Sequence, residues 1–208
     1  MKKYDPNIHH RKSIRLKGYD YSKAGLYYLT ICVKNRACLY GDVIGGEMNL
    51  NHAGMMVENQ WLLLPKRFNN IKLHEYIVMP NHFHAILEIV PVEATVGATL
   101  VVAPISPNDN TVAPISPNEN VVFDQERATT RVAPTPMGKT VGDIVGAFQS
   151  ITTVEYIRGV KTKNWKPFDG KLWQRNYWDQ IIWNEKSFQN ISKYIFNNPS
   201  KWEKDKFK

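Results

Sequence analysis

The run IKLHEYIVMPNHFHAILEIV, Ile71 to Val90, holds two stretches rich in β-branched, aromatic and aliphatic residues, with only Pro80-Asn81 between them. Two strands joined by so short a connection form an antiparallel hairpin. Side chains alternate along a strand, so His82 and His84 share one face, about 6.5–7 Å apart along the backbone, and Phe83 points to the other. The pair can converge on one ion, but histidines also pack well at strand ends. A metal reading therefore needs a third ligand.

The rest of the order follows outward from this hairpin. Upstream, LYYLTICVK (Leu26 to Lys34) reads as a strand after the turn-like run Ser22 to Gly25. Asn51 to Leu64 reads as a helix with Ala53, Val57, Trp61 and Leu64 on one face, an Asn cap before it and Pro65 after it. Downstream, Thr140 and Asp143 make a capping box for a helix with Val141, Ile144, Val145, Phe148 and Ile151 turned inward. Beyond an Asp169-Gly170 turn, Leu172 to Trp183 supplies one more strand-like stretch, and Asn184 to Asn198 a final helix stopped by Pro199. This order predicts an α+β fold of ferredoxin-like type (βαββαβ), with its helices on one face of an antiparallel sheet and an extra helix at the C-terminal end. Residues 1–208 are expected to form a single domain interrupted by an insertion at 91–136. That insertion is Pro-, Asn- and Thr-rich and carries VAPISPND (Val102 to Asp109) followed by VAPISPNE (Val112 to Glu119). A ten-residue unit with two prolines cannot continue a ladder, so an extended or flexible segment is expected.

Composition limits the function classes. The two cysteines, Cys32 and Cys38, make no disulfide or zinc framework, and no apolar run approaches the ~18 residues of a membrane span. A soluble, cytoplasmic chain is expected. The formal charge of +8 is uneven: residues 1–40 carry nine Lys/Arg against two acids, 41–138 five against ten, and 139–208 thirteen against seven. Basic ends rich in Trp and Tyr suit a polyanion with stackable bases, as they suit a merely solvated surface.

The last helix contains FQNISKYIFNNP, Phe188 to Pro199. Phe188, Ile191 and Ile195 form its apolar stripe, and at about 100° per residue Asn198 falls close to Ile191 while Tyr194 flanks it. Both can face the sheet. Four apart, they are neighbours on the helix surface.

YIVMPNHFHAILEI (Tyr76 to Ile89), LWQRNYWDQIIWNEKSF (Leu172 to Phe188) and ISKYIFNNPSKW (Ile191 to Trp202), with RKSIRLKGYDYSKAGLYYLTICV (Arg11 to Val33), resemble the single-tyrosine HUH transposases. The REP-associated branch and its insertion-sequence relatives are the nearest in pattern, and the resemblance covers most of the chain outside the insertion. It implies a divalent metal, Mg²⁺ or Mn²⁺, held by His82, His84 and Asn198, with Tyr194 as the nucleophile that becomes joined to a 5′ phosphate before strand transfer. The implied substrate is single-stranded, hairpin-forming DNA. Arg11, Lys12, Arg15 and Lys17 are expected along its backbone, and Trp173, Arg175 and Trp178 at its bases or flank. A homodimer and a monomer both occur in such proteins. Two alternatives keep the scaffold: a catalytically inactive DNA- or RNA-binding module, and a metal-dependent nuclease. Tyr177 is a rival phenol, but it has no ligand-type residue one turn away.

Overall fold

The computed structural model of the chain describes Leu16, residues 18–91 and residues 139–208. Arg11, Lys12, Arg15, Lys17 and the 91–136 insertion, apart from Pro91, lie outside the described residues. The described part opens with strand β1 (Gly25–Cys32), followed by a hairpin of β2 (Gly41–Ile44) and β3 (Glu47–Leu50). Helix α1 (His52–Leu62), strands β4 (Ile71–Val78) and β5 (His82–Ile89), helix α2 (Val141–Lys163), strand β6 (Trp178–Ile182) and helix α3 (Glu185–Phe196) complete it, with a 3-10 turn over Pro199–Lys204. The β2–β3 hairpin is absent from the sequence expectation. Its signal is Gly45-Gly46, both at positive φ (62° and 83°), the pair of left-handed residues that a two-residue hairpin turn demands.

One four-stranded antiparallel sheet runs in the order β4-β5-β1-β6. Its odd positions on β1 (Tyr27, Leu29, Ile31) and β5 (Phe83, Ala85, Leu87) face a large core closed by α1 and α2. Trp61 from α1 and Phe148 from α2 meet Phe83 at ring distances of 4.9 and 5.2 Å, so one strand residue ties both helices to the sheet. The even positions Tyr28 and Ile86 face the other way, into a second cluster with Ile182 and Ile195. There α3 packs through Phe188, Ile191, Tyr194 and Ile195.

Local chemistry sets the helix starts. Asn51 caps α1, its Oδ1 accepting from Ala53 N and Gly54 N, both at 2.9 Å. Thr140 and Asp143 form the reciprocal box that opens α2. Within α2, Val141, Ile144, Val145 and Phe148 are fully buried as expected, and Thr152 is buried with them in place of Ile151, which is only half-buried. The strand expected over 172–183 narrows to 178–182, because Val33 pairs with Trp173 as an isolated bridge before β6 begins.

Candidate metal and tyrosine centre

In the ladder between β1 and β5, Cys32 sits opposite His82, Thr30 opposite His84 and Tyr28 opposite Ile86. All of these project to the α3 side. His82 and His84 are both fully buried, with ring centroids 4.6 Å apart. A buried imidazole sheds its charge because burial penalises the ionised form. Burial accordingly holds His82 down to about 4, against smaller upward pulls from Asp205 and Asn198, and burial followed by the neighbouring His82 holds His84 well below the usual histidine range. Both rings are neutral at physiological pH and each carries a nitrogen lone pair.

The neighbours decide which nitrogen carries it. Asn81 gives its amide hydrogens to two carbonyls, Phe207 O at 2.7 Å and Arg36 O at 3.3 Å. Its Oδ1 therefore faces His82 Nδ1, 2.8 Å away, and that nitrogen donates. The lone pair of His82 is left on Nε2. His84 Nδ1 lies between two hydroxyls, Tyr28 Oη at 2.8 Å and Thr30 Oγ1 at 2.9 Å, and a proton held there leaves Nε2 bare in the same way. Both Nε2 atoms are buried and make no hydrogen bond among the described residues.

Asn198, one residue beyond the C-cap of α3, is 1% exposed, and its Oδ1 is likewise buried without a hydrogen bond. Its side chain is near enough to His82 and to Tyr194 to affect both titrations. Unsatisfied buried polar atoms are rare in folded proteins. Here two nitrogens and one oxygen are gathered at one place, and all three can donate lone pairs to a cation. Among the described residues no three of His, Cys, Asp or Glu cluster as a metal-holding group.

Tyr194 completes the arrangement. Its ring is 5.3 Å from that of His84, edge to face, and 6.4 Å from that of Tyr28. Burial, and then the Asp205 carboxylate, raise its phenol above the ordinary value, with Asn198 opposing them. Left alone, the phenol stays protonated.

The sheet face that carries these groups is covered. Trp202 stacks on His82 at 6.1 Å, and Phe207 lies 5.0 Å from His82 and 5.7 Å from His84. Asn81 holds the Phe207 carbonyl, and the Arg36 guanidinium donates to Lys206 O at 2.9 Å. Residues 202–208 thus lie as a cover over the imidazoles. Sequence reasoning did not find Asn81, Tyr28, Thr30, Asp205 or Phe207.

The expected DNA contacts divide. Trp178 is 53% exposed at the start of β6, and Arg175 is exposed on the segment before it. Trp173 has to be corrected: its ring is buried against Tyr40 and Phe148, and its Nε1 donates to Thr152 Oγ1 at 2.9 Å. A side chain so placed packs the core and leaves too little surface for a base to stack on its ring, the residue being 5% exposed. Tyr177 packs against the α1/α2 side of the sheet, away from the histidines. His74 pairs with Glu88 at 2.8 Å.

No helix among the described residues is long and apolar enough to cross a membrane. No family model matches the chain. An uncharacterized protein of Haemophilus influenzae is 38% identical over 204 residues, which span 98% of this chain and 96% of that one. Among solved structures, a REP-associated tyrosine transposase bound to a REP hairpin is 15% identical, at a TM-score of 0.44, over 90% of this chain and 74% of that one. A protein of Deinococcus radiodurans R1 assigned as a transposase is 16% identical, at a TM-score of 0.40, over 88% and 95%. Both structural likenesses are loose.

Proposed function

We propose that this chain, which belongs to one family with the Haemophilus influenzae protein, is a transposase that cuts and rejoins single-stranded, hairpin-forming DNA. The observation that carries the reading is the meeting of two bare imidazole nitrogens, one bare amide oxygen and the Tyr194 ring under a single helix. The strand order β4-β5-β1-β6 supports reading the scaffold as ferredoxin-like, with α3 as the added helix.

His82 Nε2, His84 Nε2 and Asn198 Oδ1 would hold Mg²⁺ or Mn²⁺, and of the two Mn²⁺ suits imidazole donors better. Bound there, such an ion offsets charge on a phosphodiester and orients it. The protein's own residues do the rest. Asn81 fixes the His82 tautomer, and the Tyr28 and Thr30 hydroxyls hold His84 by its other nitrogen, the supporting hydrogen bonds that orient ligand histidines. Tyr194 supplies the nucleophile: its oxygen forms a bond to phosphorus as the bond to the 3′ oxygen breaks, the phenol losing its proton and the departing oxygen gaining one. A later 3′-hydroxyl reverses the exchange and restores the phenol. The phosphodiester bond energy is conserved, so no nucleotide cofactor is needed.

The reading is tested by incubating the protein with Mn²⁺ and a panel of hairpin-forming single strands, then looking for a protein–DNA species that survives a denaturing gel. Tyr194→Phe should reduce that species to background and leave binding within about twofold, since the ring and its packing are kept. Cut DNA without attached protein, undiminished by Tyr194→Phe, would point to a nuclease. Binding without cutting or attachment would point to an inactive module.

A further inference from the structure

The loop that leaves β1 and the segment that leads into β6 run side by side. Lys34 N donates to Leu172 O and Gln174 N to Cys32 O, both at 2.8 Å. Between these walls opens a cleft of about 470 Å³. Lys34, Asn35 and Arg36 line it from one side, and Lys171, Trp173, Gln174 and Arg175 from the other. Four of these residues are cations, and among the described residues no carboxylate lines the cleft. None of the four makes an ion pair among the described residues. Lys34 leans towards the far wall, its Nζ 3.5 Å from where a Cβ on Gly170 would stand.

The backbone points the same way. Asn35 (φ 58°, ψ 16°) and Arg36 (φ 53°) are consecutive non-glycine residues in the left-handed region. Asparagine tolerates that region and arginine enters it rarely, and strain of this kind gathers where a ligand is held. The strained pair adds Asn35 and Arg36 to the cleft wall. Like charges collected without counter-ions repel one another, and a polyanion removes that repulsion.

We infer that this cleft binds the sugar–phosphate backbone of a single-stranded nucleic acid and leads the strand to the His82/His84/Tyr194 centre. The inference rests on the DNA-joining reading and adds to it a binding site apart from the ligands and the nucleophile. Cations stand on both walls of an open trough, an arrangement that matches successive phosphates better than one small anion. Arginine offers a planar fork and lysine a point charge, and together they track a backbone without reading sequence. The cleft is also in the right place. Cys32, the last residue of β1, faces His82, and Val33 N donates to Asn81 O at 2.8 Å, so the cationic wall starts directly beyond the strand end that carries the centre.

The test uses the full chain and a fluorescently labelled single-stranded oligodeoxynucleotide, with anisotropy followed across a salt series. Lys171→Gln with Arg175→Gln changes two exposed side chains and leaves the core untouched. Binding should weaken at least about tenfold at low salt, and the slope of log affinity against log salt should become shallower by roughly 1.4, two phosphate contacts at about 0.7 each. Lys161→Gln with Lys186→Gln, exposed cations elsewhere, should stay within about twofold of the parent, with the slope retained. The inference is overturned if both pairs lose affinity alike, if the cleft pair loses none, or if the parent does not bind the strand. The covalent-adduct assay separates the two readings. A parent that forms the Tyr194 adduct beside a cleft pair that binds normally removes the cleft alone. A cleft pair that loses binding, in a protein that never forms an adduct, removes the DNA-joining chemistry and keeps the cleft.

Discussion

Asn81 does more at the candidate centre than its place in a tight turn foretells. With both amide hydrogens given to carbonyls, its oxygen dictates the protonated nitrogen of His82 and so frees the other for a ligand. The acid sensitivity of the fold follows from the same burial. His82 titrates near 6.5 in the unfolded chain and near 4 in the folded one, and His84 shifts in the same direction. Below about 6.5 the unfolded chain takes up protons that the folded chain refuses. Stability should therefore fall as the pH drops from about 6.5 towards 4, by at most about 1.4 kcal/mol per pH unit for each histidine. Urea unfolding midpoints across that window measure it, and His82→Gln should flatten the dependence. At this scale the shared face of His82 and His84 and the inward turn of Tyr194 were legible because they follow the two simplest periods, two for a strand and 3.6 for a helix, whereas Asn198 stands beyond the C-cap of α3, where the helical period no longer applies. Trp173 was misread because a Trp among Gln, Arg and Asn looks exposed, and only the packing of Tyr40, Phe148 and Thr152 shows it buried. Asn81, Tyr28 and Thr30 act across strand partners, and no local period marks such a contact.

At the scale of elements, caps and hairpins carried most of the legible fold. Asn51, Thr140 and Asn184 announce their helices by side chains that accept the first free backbone N–H groups, and all three do so. Asn51 also donates to Leu39 O at 3.0 Å, which ties α1 to the chain entering β2. Asn51→Ala loses the cap and that link, and should lower unfolding stability by about 1–2 kcal/mol in chemical denaturation, with no effect on the spacing of His82 and His84. The β2–β3 hairpin escaped notice because each strand is four residues long and half-buried, too short for alternation to stand out from chance. β6 came out shorter than expected for a related reason. Its first residues serve the bridge at Val33 and the cleft wall, and the apolar letters of LWQRNYW do not distinguish these roles.

In the molecule as a whole, the sheet is covered on both faces, by α1 and α2 on one and by α3 with the C-terminal turn on the other. The second cover is the thinner one, and the imidazoles lie beneath it. Phe207→Ala should open the way to them. Diethyl pyrocarbonate, which modifies neutral imidazole nitrogen, should label His82 and His84 at least about tenfold faster in that variant, read by peptide mass spectrometry, because access then needs only local opening. Equal labelling of parent and variant would mean that Phe207 guards nothing.

Arg36 belongs to both the cover and the cleft: its guanidinium holds the Lys206 carbonyl, and its side chain lines the basic wall. A phosphate that engages this guanidinium competes with the carbonyl, so filling the trough and uncovering the histidines draw on one group. Were the proposed ion to bind beneath that cover, thermodynamic reciprocity would make its effect on the affinity for an oligonucleotide equal to the oligonucleotide's effect on the affinity for the ion.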